Sequence, residues 1–278
     1  MEKVGMFEGL VYISGQCDID SIIGYIIGTL LCLGSICSYI PQYYIIIKNK
    51  TVGDINELSL ILLNIGNFCL SLNSVIVNWS KWKCFEVCGF WLCMAHLLPF
   101  YQILMGWLMV FIFYMLFMKY KIRNRETKFL AAILYGLMYI GFIVIVVSIS
   151  IGEKVWNSGP DQNLFFRVFA EVLGYFSAVF NCVAWLPQIY TLIKLGESNN
   201  LSPWMFALQT PGNVIVIIFQ AVLFSQPVST WITYLITCVE QTLILIIIVV
   251  YHFRDKKIQE NQEFLENWEV RGELESFA

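Results

Sequence analysis

The chain has 278 residues, of which 58% are hydrophobic, 16% aromatic and only 13% charged, and its mean hydropathy is +0.70. Soluble domains carry about 25% charged residues, so a soluble globular fold is excluded. Seventeen Lys and Arg against twenty Asp and Glu give a formal charge of -3, with no basic surplus for a phosphate backbone, which excludes nucleic acid as a partner.

A helix needs about 20 apolar residues to cross a bilayer core. Seven stretches meet that length, at 22-47, 55-78, 92-118, 129-151, 168-194, 202-224 and 230-253. The expected fold is therefore an all-α membrane protein with seven transmembrane helices. Residues 1-21 precede the first span, which starts too late and runs too long for a cleaved signal peptide, so the N-terminus is expected to be retained.

Before the third span, Cys84, Cys88, Cys93 and His96 lie ahead of Pro99 in a stretch that reads as a loop, an interfacial helix or the start of the span itself. Their spacing matches no zinc pattern, so neither a metal nor any other cofactor is expected. A disulfide among Cys17, Cys84 and Cys88 is left open. The tail at 254-278 is acidic and polar and reads as a solvated helix or a disordered segment.

Orientation follows from the excess of Lys and Arg on cytoplasmic loops. The loops after odd-numbered spans and the tail hold twelve of the seventeen basic residues, among them Lys48, Lys121, Lys194 and Arg254; the opposite side holds Lys3, Lys81, Lys83, Lys154 and Arg167. The N-terminus is thus expected outside or in a lumen and the tail in the cytosol. Asn78-Trp79-Ser80 is a lumenal sequon too close to the membrane to be used, while Asn49-Lys50-Thr51 and Asn200-Leu201-Ser202 fall on the cytosolic side.

The chain repeats itself without a gap at an offset of 146 residues. Gly28 pairs with Gly174, Pro41-Gln42 with Pro187-Gln188, Tyr44 with Tyr190, Ile47-Lys48 with Ile193-Lys194, and Gly66-Asn67 with Gly212-Asn213. Three spans plus one linker span restore the starting side, so spans one to three and five to seven become two copies in the same orientation, a known transporter architecture.

On the duplicated Pro-Gln dipeptide the sequence resembles the PQ-loop repeat family, over about 22-253. Relatives of that family include cystinosin-like and cationic amino acid exporters of lysosomes and vacuoles and, more distantly, the SWEET sugar facilitators and KDEL receptors. The resemblance implies two parallel three-helix bundles, at 22-118 and 168-253, joined by helix 4 within 119-167, with a central substrate path and alternating access. It also implies a lysosomal or vacuolar membrane and an amino acid as solute. Where exporters of the family carry Gly-Asp, this chain has asparagine at both positions, Asn67 and Asn213. Asparagine hydrogen-bonds a polar solute but carries no proton.

Several residues are candidates for the chemistry. Pro41 and Pro187 each remove a helical hydrogen bond and free the carbonyl four residues back, at Cys37 and Val183, so both are read as gating hinges, with Gln42 and Gln188 supplying amides to the broken backbone. Pro211 is expected to add a break in span six. Asn67, Asn213 and Asn181 are read as lining the substrate path. Glu240 lies nine residues after Trp231 and twelve before His252, near the bilayer centre at about 1.5 Å per residue. An ionised carboxylate there costs about 3 kcal/mol, and such residues are functional by default, which makes Glu240 the candidate for proton or ion coupling. Glu171, four residues after Arg167, is read as a helix-surface pair or as a lumenal gate, and is the second candidate for proton or ion coupling.

The expected function is a secondary transporter exporting a small polar solute to the cytosol, with lipid and protons as its other partners. A pH-independent facilitator of sugar-like solutes and a non-transporting receptor or sorting protein are the alternatives. Span three ends in Lys119-Tyr120-Lys121, unlike a G-protein-coupled receptor, and no protease or nucleophile-elbow signature is present, so no enzyme is expected.

Overall fold

The computed structural model describes residues 22–53, 55–82, 85, 90–121, 125–156, 163–196 and 201–276. Among them the chain is helical throughout: α1 (Ile22–Asn49), α2 (Glu57–Val77), α3 (Trp79–Trp82), α4 (Phe90–His96), α5 (Leu98–Tyr120), α6 (Arg125–Trp156), α7 (Leu164–Leu195), α8 (Pro203–Ile218) and α9 (Val228–Ser276), with a π-helical segment at Phe219–Leu223. Seven of these, α1, α2 and α5 to α9, are long and apolar enough to cross a membrane. Exposed apolar side chains such as Leu137, Ile140 and Ile143 on α6 are what a lipid-facing helix requires.

The helix boundaries follow local chemistry. Asn56 caps α2, its Oδ1 accepting from Leu58 N at 2.9 Å. Asn163 caps α7 in the same way through Phe165 N, and Ser202 caps α8 ahead of Pro203. Gly196 ends α7 at φ 66, the left-handed conformation that favours glycine.

Three expectations need correction or completion. Within the ambiguous stretch before the third span, Phe90–His96 form the short helix α4, separated by Leu97 from α5, so that span begins at Leu98 rather than at 92. Pro99 falls in the first turn of α5, where its missing N–H leaves no helical bond unmade. The expected break at Pro211 is absent. α8 runs through that proline, as α1 and α7 run through Pro41 and Pro187, because one lost bond leaves the surrounding turns paired. The departure from α geometry comes instead at Phe219–Leu223, closed by Phe224 N to Phe219 O at 3.1 Å and followed by Ser225 at φ 46. The tail is helical, α9 continuing unbroken to Ser276. The sequence segment 1-21 lies outside the described residues.

In each half, the third helix lies against the other two: α5 packs on α1 and α2, and α9 packs on α7 and α8. The halves meet where α2 lies along α7 and α1 along α8. Glycine permits two of the crossings. A Cβ on Gly28 would come within 2.7 Å of Leu98 Cδ1 at the start of α5, and one on Gly174 would run into the Ser229 backbone carbonyl at the start of α9. α6 attaches through aromatic contacts, Trp107 stacking on Tyr139 at 4.8 Å and Tyr114 meeting Tyr135 at 4.5 Å. One apolar cluster, including Ile46, Phe117, Trp185, Phe206 and Ile248, fills the end that carries Pro-Gln. A second, including Ile76, Trp79 and Phe100, fills the other end.

Candidate functional site

The two Pro-Gln glutamines are buried, and each reaches into the other repeat. Gln42 Oε1 accepts from the backbone N of Ser202 at 2.7 Å, and Gln188 Oε1 accepts from the backbone N of Asn56 at 3.2 Å. Both recipients are the N-caps of the second helix of a repeat, where backbone N–H groups have no intrahelical partner. Since 56 and 202 differ by 146, as 42 and 188 do, the two bonds form a crossed pair that obeys the sequence repeat. The sequence reading gave these amides to the carbonyls that the prolines free; their acceptor oxygens close the Pro-Gln end between repeats. Asn56 and Ser202 were not singled out from sequence, although two capping residue types at one repeat offset were a legible signal. Beside this closure, a cleft of about 830 Å³ is lined by Asn56, Glu57, Lys121, Pro187, Tyr190 and Lys194, among others.

The three path asparagines have different surroundings. Asn213 Nδ2 donates to Gln241 Oε1 at 2.9 Å, Gln241 Nε2 to Gln209 Oε1 at 2.7 Å, and Gln209 Nε2 to Ser38 Oγ at 3.3 Å. This row of uncharged polar groups joins α9, α8 and α1 across the repeat boundary. Sequence reasoning missed Ser38, Gln209 and Gln241, whose signal was glutamine inside otherwise apolar spans. Asn67 turns back on its own helix, Nδ2 donating to Leu63 O at 2.7 Å. Asn181 is buried, bonds to Ser177 O at 2.9 Å and occupies the space left by Gly66, where a Cβ would lie 2.5 Å from its Nδ2. It is a packing residue of the α2–α7 contact, and the structure does not bring it together with the Asn213 row.

Glu240 is 6% exposed and is the charged side chain among the buried residues described. Its Oε2 has no hydrogen-bond partner, and the Cys182 thiol of α7 lies within hydrogen-bonding reach of the carboxyl group. It therefore points toward α7 while its neighbour Gln241 points toward α8. Glu171 and Arg167 are both exposed on α7, away from this interior.

The opposite end is tied by a second polar set. Asn73 Nδ2 donates to Ala170 O at 2.7 Å and to Ser229 Oγ at 3.3 Å, while Thr230 Oγ1 donates to Asn73 Oδ1 at 3.1 Å. Nearby, Lys81 on α3 is half-buried with its Nζ 5.4 Å from the centre of the Phe224 ring, and burial pushes its ammonium down to about 8. Cys93 is disulfide-bonded, which removes its sulfur from any metal-ligand set. Cys17, Cys84 and Cys88 lie outside the described residues, and so does Asn200. Cys32, Cys37, Cys69, Cys182 and Cys238 are free thiols.

No match was found among curated proteins. The family model of the PQ loop repeat matches twice, at residues 23–83 and 169–230, and each match contains one Pro-Gln dipeptide, one N-cap and one Gly-Asn pair of the 146-residue repeat. With these two repeats and seven helices long and apolar enough to cross a membrane, the chain belongs to the PQ-loop repeat family of membrane proteins.

Proposed function

We propose that the protein is a secondary transporter that carries a small polar solute, an amino acid, from a lysosome or vacuole to the cytosol by alternating access, with its N-terminus lumenal and its tail cytosolic. The observation that carries this reading is the crossed pair formed by Gln42 with Ser202 and Gln188 with Asn56. A carrier must close each end by contacts between its halves and then release them. A neutral hydrogen bond contributes only about 1 kcal/mol net when water can replace it, which suits a seal that opens on each cycle. Asn73 supplies comparable bonds at the far end.

Between the two ends, the row Ser38, Gln209, Gln241 and Asn213 offers amide and hydroxyl groups to a polar solute, and Asn67 is the counterpart of Asn213 in the first repeat. Pro41 and Pro187 supply the flexure. Glu240, buried with one oxygen unpaired, is the proton carrier of this scheme. The excess of basic residues on the Pro-Gln side supports the orientation, and the family's relatives support the organelle. Catalysis forms no part of this reading.

A second reading, an uncoupled facilitator of sugar-like solutes, is favoured by Asn67 and Asn213, which stand where a coupled carrier of this family has a carboxylate. Purified protein in liposomes, offered labelled amino acids and sugars with and without a pH gradient, tests both. The expected result is acid-driven amino acid uptake that Glu240→Gln abolishes. Uptake indifferent to pH selects the facilitator, and saturable binding without flux selects a receptor.

A further inference from the structure

At the end of its apolar span, the third helix of each repeat carries a cation that turns back onto the loop joining the first two helices of its own repeat. At the end of α5, Lys121 Nζ donates to Ile55 O at 2.7 Å and to Gly53 O at 3.3 Å. On α9, Arg254 Nη2 donates to Gly196 O at 2.5 Å. Each cation lies over an aromatic ring about one turn earlier on its helix, Lys121 5.1 Å from the Phe117 ring centre and Arg254 4.8 Å from that of Tyr251. Both loops offer carbonyls from turns with left-handed glycine, Gly53 at φ 55 and Gly196 at φ 66. These are also the loops whose far ends carry Asn56 N and Ser202 N, the groups held by Gln188 and Gln42 of the opposite repeat.

The correspondence lies outside the gapless sequence repeat. The residue 146 positions after Lys121 is Asn267, and the one 146 positions before Arg254 is Leu108. The third spans start 130 residues apart, at Leu98 and Val228, so the offset of 146 does not extend to them; Lys121 and Arg254 instead correspond by lying at the same end of the two spans, and each bonds a carbonyl of its own repeat's loop.

We propose that Lys121 and Arg254 are positioning residues of the Pro-Gln gate, each anchoring its own repeat's loop so that the N–H of Asn56 or Ser202 is presented to the glutamine of the other repeat. Charge-assisted bonds to carbonyls are stronger than neutral ones, so the loop stays fixed on its own bundle while the weaker glutamine bond forms and breaks. The gate then opens between the repeats and not within one. This rests on reading the Pro-Gln end as a gate, but its test needs no solute.

The test is hydrogen–deuterium exchange of the full chain in lipid nanodiscs, read on the peptides containing Asn56 and Ser202. Lys121→Met is expected to speed exchange of the Asn56 peptide about tenfold, and Arg254→Met that of the Ser202 peptide, with the peptides containing Asn78 and Gln226 unchanged. Lys121→Arg and Arg254→Lys should keep the native rates, because either cation reaches a carbonyl. Should the methionine variants not fold, Phe117→Leu and Tyr251→Leu, which remove only the ring beneath each cation, are expected to give about a threefold rise at the same peptides. Unchanged exchange in these variants, an equal rise in the conservative pair, or a rise spread over the whole chain overturns the proposal. If exchange behaves as expected but no solute crosses the liposome membrane, the transport reading fails while the anchoring role stands.

Discussion

Asn78 and Gln226 exchange amide hydrogen bonds, Gln226 Nε2 donating to Asn78 Oδ1 at 3.0 Å and Asn78 Nδ2 to Gln226 Oε1 at 3.4 Å. Asn78 caps the end of α2 in the first half, and Gln226 lies in the turn between the π-helical segment and α9 in the second. The pair therefore fastens the halves together at the end opposite Pro-Gln. Asn78 is fully buried, and its Nδ2 also bonds Ser74 O at 2.9 Å.

This burial decides the fate of the sequon Asn78-Trp79-Ser80. Its amide nitrogen is engaged within the fold, so the folded protein is expected to carry no glycan there, and digestion with an endoglycosidase should leave its gel mobility unchanged. Gln226→Ala strands Asn78 Oδ1 inside the protein and is expected to lower stability by about 1–3 kcal/mol, read as a fall in melting temperature in detergent.

Gln42 and Gln188 hold the same two bodies through separate bonds. Removing one leaves the other in place, so Gln42→Leu or Gln188→Leu alone should open the Pro-Gln end modestly, whereas the double variant should open it by about the product of the two single effects, because the free energies of bonds broken in one motion add. Labelling of a cysteine placed at Ser202 by a maleimide reports the opening. A double variant no more open than the larger of the two single ones would mean that the two bonds do not share one opening motion.

The four glycines of the repeat should respond differently to alanine. Gly174→Ala drives a methyl group into the Ser229 backbone, which cannot rotate aside, and is expected to cost about 1–3 kcal/mol. Gly212 has open space around its Cβ position, so Gly212→Ala should be neutral or stabilise α8 by about 0.5–1 kcal/mol through helix propensity. Thermal melts of the two variants make the comparison.

Lys81 gives the protein a pH dependence of definite sign. Burial pushes its ammonium down to about 8, below the ordinary lysine value of 10.5, so the folded state disfavours the charged form. The destabilisation is fully present below about pH 8 and is relieved as pH rises toward 10.5, the range in which the unfolded chain binds the proton more tightly. Lys81→Met should therefore raise the melting temperature at pH 7 and flatten its rise between pH 8 and 10.5. An unchanged profile would place the ammonium in water.

The crossed glutamine bonds show where sequence reading reached and where it stopped. Pro-Gln was recognisable at both copies, and so was the helical bond that each proline forgoes, because a missing N–H is a property of the residue itself. The destination of the glutamine was not recognisable, since it depends on which loop of the other half lies within reach, 132 residues away for Gln188 and 160 for Gln42. Glu240 and Glu171 make the same point. Both are carboxylates inside apolar runs, yet one is buried against Cys182 and the other exposed, a difference set by which face of its helix meets a neighbour.

The sequence by itself determined the seven apolar helices, their duplication at an offset of 146 residues and the family, because apolar length and internal repetition are properties of the chain that need no partner. Tertiary structure alone decided that Gly174 abuts the Ser229 backbone where Gly212 has open space, that Asn181 packs against Gly66 while Asn213 joins Gln241, and that Lys121 and Arg254 reach the loops of their own repeats. A side chain's role in a bundle depends on its distance to residues of other helices, and the order in which seven helices pack fixes those distances.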